Sequence, residues 1–177
     1  MTSKVFVGAL ALSLAAVGIG CDDDDDPAGP TPEVFRATLN GANERPTPRT
    51  TPATGTAEFT LVGDELSWVI TMSSITNVTM GHIHIGTSSQ AGGILLGLTP
   101  PISNTRIEGS ITRAQFQAPA APNQGVTWDD MLELMRTDGA YVNIHTNNTA
   151  NDPTNDTGPG DFPGGEIRGQ IARISGP

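Results

Sequence analysis

The sequence predicts an all-β, antiparallel sandwich of Greek-key or immunoglobulin-like type carrying one short helix. Three observations predict it. Thr, Val and Ile recur in short alternating runs, 21 glycines and 14 prolines punctuate those runs, and aromatic residues make up only 5% of the 177. Short alternating strands separated by turn residues are the texture of two sheets packed face to face. Only one stretch changes from a period of two to the helical period.

The elements follow in order. "EVFRATLNG" alternates, with Phe35, Ala37 and Leu39 on one face and Val34, Arg36, Thr38 and Asn40 on the other, and it ends at Asn40-Gly41. "ANERPTPRTTPATG" holds three prolines and reads as loop. "GTAEFTLVGDELSWVITMSSI" reads as a hairpin turning at Gly63-Asp64, with Ala57, Phe59, Leu61, Leu66, Trp68 and Ile70 facing one core. "NVTMGHIHIG", "ILLGL" and "TRIEGSI" are further strands. In "TWDDMLELMRTDG", Trp128, Met131, Leu132 and Met135 fall at helical spacing. Thr127 can cap that helix, Asp129 and Asp130 suit its positive end, and Gly139 can end it. "AYVNIHT" is a strand, Asn147 to Gly165 a long polar loop, and "EIRGQIARI" a last strand that opposes Ile167, Gly169 and Ile171 to Glu166, Arg168 and Gln170.

Ahead of the domain, residues 1–20 read as a secretory signal: Lys4, an apolar run from Val5 to Val17, then small residues. That run is shorter than the roughly 20 residues a spanning helix needs. Gly18-Ile19-Gly20-Cys21 resembles a bacterial lipoprotein cleavage box, so Cys21, the single cysteine, is expected to be lipidated and to tether the protein to the envelope, on its periplasmic or cell-surface side. Residues 21–32, with five aspartates and three prolines, form an acidic tether, and 33–177 form one domain.

Charge excludes one class of partner. Five of the 19 acids lie in the tether and the only lysine in the signal, so the domain sets 14 acids against eight arginines, a charge of −6. Nucleic acid is therefore not an expected partner. Nor does the sequence contain a nucleophile elbow or a phosphate-cradling glycine loop.

The chain has three histidines, two of them in "GHIHIG" and the third in "YVNIHT". If Ile83, Ile85, Val142 and Ile144 face the core, then His82, His84 and His145 share the opposite face. Side chains two apart on a strand lie about 7 Å apart, so two imidazoles can converge on one ion at about 2.0–2.1 Å. A third from a neighbouring strand completes a three-nitrogen set, for which copper is favoured on affinity. Glu166 or Asn143 could serve as a fourth ligand or orient a ring. The alternative is that the histidines bond loop carbonyls and Glu166 and pin the loop from Asn147 to Gly165. Glu166 and Arg168, two apart on one face, read as an ion pair and loop clamp.

Taken together, "LNGANERP", "TGTAEFTL", "GHIHIG", "YVNIHT" and "GGEIRGQI" resemble the CHRD family, first described as a repeat in chordin and found alone in exported bacterial proteins. The resemblance implies an extracytoplasmic β-sandwich. A more distant resemblance is to the copper-zinc superoxide dismutases, sandwiches that take copper ligands from a His-x-His strand and a later "VVH"-type strand; His82, His84 and His145 look like that set. The zinc loop, bridging histidine and disulfide of those enzymes have no counterpart here, so the resemblance implies copper rather than zinc. The expected function is a non-enzymatic binding or interaction module with a protein or surface partner, holding one transition-metal ion. The alternatives are a mononuclear copper oxidoreductase and a structural adhesion domain without metal.

Overall fold

The structure is a computed structural model and describes residues 29–98, 103–123, 125–148 and 156–176. The signal, Cys21 and the aspartate run lie outside the described residues. Among the described residues are nine strands and one α-helix: β1 (Glu33–Asn40), β2 (Thr54–Val62), β3 (Glu65–Ser73), β4 (Val78–Ile85), β5 (Ile94–Gly97), β6 (Arg106–Thr112), α1 (Trp128–Arg136), β7 (Ala140–Thr146), β8 (Ile167–Gln170) and β9 (Ala172–Ser175). Every pairing is antiparallel.

The strands join in the order β5-β4-β7-β8-β1-β2-β3-β6, with β9 also on β1. β8 and β1 share one residue pair, Asn40 with Arg168, and the sheet is curled so that strands from its two ends face each other. The sandwich shows at Gly81 of β4. A Cβ there would come within 3.2 Å of both Ile144 of β7 and Ile107 of β6, a strand from the far end of the hydrogen-bonded order. A side chain there would have to push those two methyl ends back by a few tenths of an ångström, so glycine suits the close meeting of β4 and β6 across the core.

Alternation decides what fills that core. Phe35, Ala37 and Leu39 of β1, Ala57, Phe59 and Leu61 of β2, and Leu66, Trp68 and Ile70 of β3 are buried, as their spacing predicts. The hairpin turns at Gly63, whose φ of 57° is left-handed. In α1, Thr127 accepts from Asp130 N and Asp130 answers in a capping box, while Trp128, Met131, Leu132 and Met135 are buried. Arg136 then fixes the helix to β1 through Glu33, with Nε to Oε1 at 2.9 Å and Nη2 to Oε2 at 2.6 Å.

Two local readings change. The left-handed residue after α1 is Asp138 (φ 55°) rather than Gly139, whose N–H instead closes on Leu134 O at 2.7 Å. "EIRGQIARI" is two strands, not one. β8 pairs with β7 as far as Gln170, Ile171 N donates to Ala140 O, and the chain then moves onto β1 at Arg36, Phe35 and Val34 as β9. The cause is the seam: β1 meets β8 at its C-terminal end and leaves its N-terminal half open for β9.

Candidate metal centre

β4 and β7 are neighbours in register, with Met80 opposite His145, His82 opposite Asn143 and His84 opposite Tyr141. Ile83, Val142 and Ile144 are fully buried in the core, so strand parity sends His82, His84, Tyr141, Asn143 and His145 to the other face. That face is not open. Every residue of β7 is buried, and so are His84 and His145, because the segments after β4 and before β8 fold over it. A half-buried strand has become a strand buried on both sides, one apolar and one polar.

The covering loops also set the rings. His84 Nδ1 donates to Gly92 O at 3.0 Å and His145 Nδ1 to Pro163 O at 2.8 Å. A carbonyl can only accept, so both neutral rings carry their proton on Nδ1 and keep a lone pair on Nε2. His145 Nε2 lies 3.1 Å from His82 Nδ1. His84 Nε2 is buried with no hydrogen-bond partner. One nitrogen from each ring falls within 4.8 Å of the others. Nitrogens bound to one tetrahedral ion sit about 3.3 Å apart, so the His82–His145 pair is already at ligand spacing.

Electrostatics keeps these lone pairs free. Burial pushes His82 down to about 4, helped by the neighbouring His145 and His84. It pushes His84 to about 4 as well, against the opposing bond to Gly92 and with help from His145 and Arg168, and it lowers His145. All three rings are neutral at pH 7, the form in which imidazole binds metal.

A second layer holds the loop after β4. The Tyr141 ring stacks on His84 with centroids 5.1 Å apart, and its hydroxyl accepts from Gly92 N at 3.2 Å. The Arg168 guanidinium lies 3.4 Å from the centre of the same Tyr141 ring and donates to Thr87 O and to Gln90 O at 2.8 Å. Gly86 opens this loop with φ 145°, where a Cβ would meet Gln90 O at 2.6 Å, which explains the glycine that closes "GHIHIG".

The other candidate residues lie as follows. Asn143 sits opposite both His82 and Arg168, its Oδ1 buried and without a hydrogen-bond partner. Glu166 is fully buried but turned from the histidines; it accepts from Thr51 Oγ1 at 2.5 Å, Thr146 Oγ1 at 2.7 Å and Gly160 N at 2.9 Å. Glu166 and Arg168 do not pair with each other. Each holds a different loop. Tyr141, Gly92 and Pro163 enter unanticipated. Tyr141 could have been found from its parity with Asn143 and His145, whereas Gly92 and Pro163 act through backbone carbonyls and leave no mark in side-chain chemistry.

No curated protein matches the sequence. The family model of the CHRD domain does match, over residues 35–152, a span that runs from β1 through β7 and contains all three histidines; on that match the chain belongs to the CHRD family.

Proposed function

We propose that this CHRD domain is a binding module of the cell envelope that holds one transition-metal ion on His82, His84 and His145, with copper favoured by the affinity order for nitrogen ligands. One observation carries the reading: His84 Nε2 is a buried acceptor without a partner, in a cluster where one ring nitrogen from each of the three histidines lies within 4.8 Å of the others. An unpaired buried acceptor costs about 1–3 kcal/mol, a cost that a bound ion removes. The reading includes export and attachment through a lipidated Cys21, with the aspartate run as spacer. Its partner is a protein or surface in that compartment.

A second reading has its own support. The Nδ1 bonds to Gly92 and Pro163 pin two loops whether or not an ion is bound. On that reading the protein is a structural domain and the rings hold no metal. One experiment separates the two: untagged mature protein with Cys21→Ser is loaded with copper or zinc, dialysed, and its bound metal counted beside a His82→Ala/His84→Ala variant. About one equivalent, lost in the variant, supports the metal site; no retained metal reduces the histidines to loop pins.

A further inference from the structure

The histidine face contains a buried positive charge. Arg168 is 1% exposed, makes no ion pair among the described residues, and has an Nη1 with no hydrogen-bond partner. Its bonds to the carbonyls of Thr87 and Gln90 orient the guanidinium without cancelling its charge. The acid whose field reaches it is Glu44, itself only 3% exposed and with a buried, unpartnered Oε1. Burial raises Glu44 to about 7, so this counter-charge is incomplete at neutral pH.

The charge stands one ring from the candidate ligands. Tyr141 carries Arg168 at 3.4 Å and is stacked on His84 at 5.1 Å. The ligand set returns nothing negative, since it consists of three imidazoles, and Asn143, paired in register with both His82 and Arg168, is an amide.

We infer that Arg168 selects the charge of the bound ion, so that the three-histidine site prefers a monovalent transition-metal cation, cuprous copper, over divalent zinc or cupric ion. The inference rests on the metal reading above. A fixed positive charge in a low-dielectric layer repels a divalent ion twice as strongly as a monovalent one at the same point, and neutral imidazoles do not offset the difference. Arg168 acts through space and through the loop it holds; it is not a ligand.

The test compares two affinities in the Cys21→Ser protein. Cuprous ion is measured anaerobically against a bathocuproine competitor, and zinc against a chromophoric chelator. Arg168→Gln keeps an N–H donor for the loop carbonyls and removes the charge. Asn143→Asp keeps Arg168 and adds the missing negative charge at nearly constant volume, so it carries the test if the first variant does not fold. Arg168→Lys keeps the charge and loses the planar fork. The zinc-to-cuprous affinity ratio is expected to rise at least about tenfold in Arg168→Gln and Asn143→Asp and to stay within about threefold in Arg168→Lys. A ratio that moves less than about threefold in the charge-changing variants overturns the inference, as does a lysine variant that shifts as far as glutamine. If the parent protein holds neither ion, the histidine site itself fails and this inference fails with it. If it holds both and the ratio is indifferent to Arg168, the site stands and only the selectivity is lost.

Discussion

His145 Nε2 faces His82 Nδ1 at 3.1 Å, while the other nitrogen of His145 is committed to Pro163 O at 2.8 Å. The carbonyl fixes His145 as an acceptor toward His82. In the metal-free protein His82 can donate into that lone pair; with its own Nδ1 deprotonated it presents a second one. Sheet register holds the two rings in place, so exchanging a hydrogen bond for a shared ion requires no movement of β4 or β7.

This relationship predicts a thermal shift. An ion that binds only the folded chain stabilises it by about 2.7 kcal/mol at a hundredfold excess over Kd. For a domain of this size that is a rise in Tm of roughly 5–10 °C. Calorimetry with and without copper or zinc should show the rise in the parent protein and none in His82→Ala. A variant that keeps the full shift would remove His82 from the site.

The titratable groups predict a pH dependence with two opposing parts. His82 and His84 fall from 6.5 to about 4 on folding, so the unfolded chain binds more protons between those values. Their contribution is present above pH 6.5 and lost as pH falls toward 4, and the lowered His145 acts in the same direction. Glu44 rises from 4.5 to about 7, so its contribution is present below pH 4.5 and lost as pH climbs toward 7. Three histidines against one glutamate leave metal-free stability rising from pH 4.5 to 6.5. Glu44→Gln removes the opposing part. The rise should steepen in urea titrations, and at pH 8 the variant should be more stable by about 1–3 kcal/mol, since a buried charge has been removed. Equal slopes in the two proteins would place the titration elsewhere.

The strands and the core were legible because alternation is a local property. Phe35, Ala37, Leu39, Phe59 and Trp68 face inward wherever the neighbouring strand lies. The same parity placed all three histidines on one face. It could not show that this face is covered, because the cover is backbone: Gly92 O, Pro163 O, Thr87 O and Gln90 O come from loops whose path no periodicity encodes. Nor could it divide "EIRGQIARI" at Ile171, since the residue pattern runs on while the partner changes from β7 to β1. The direction of Glu166 is illegible for a related reason. Glu166 precedes β8, so strand parity does not govern it, and Thr51, Thr146 and Gly160 N draw it away from the imidazoles.

Tyr141 joins the ring of His84 to the peptide of Gly92, and its hydroxyl can be removed alone. Tyr141→Phe keeps the stack on His84 and the surface under Arg168 but leaves Gly92 N without its acceptor. The expected cost is about 0.5–1.5 kcal/mol in chemical denaturation. Faster amide exchange should be confined to the loop after β4. Exchange that quickens equally across β1 to β3 would show that Tyr141 supports the whole fold instead.

Glu166 offers the sharpest separation of fold from site. Its carboxylate gathers two hydroxyls and one amide, tying the loop before β2 and the loop before β8 to the end of β7. In Glu166→Gln one of its oxygens becomes an amide that must face groups already serving as donors: at the Oε1 position Thr51 loses its acceptor, and at the Oε2 position Thr146 and Gly160 N both do. Stability should drop by about 2–4 kcal/mol, the scale for bonds to a buried carboxylate whose partners stay buried. Metal content should not change, because no hydrogen bond links Glu166 to a histidine among the described residues. Unfolding midpoints and metal stoichiometry on the same preparation decide the matter. A destabilised variant that still retains one ion per chain makes Glu166 a structural clamp, while loss of the ion at temperatures where the variant is folded would bring Glu166 back as a ligand that reorients when the metal arrives.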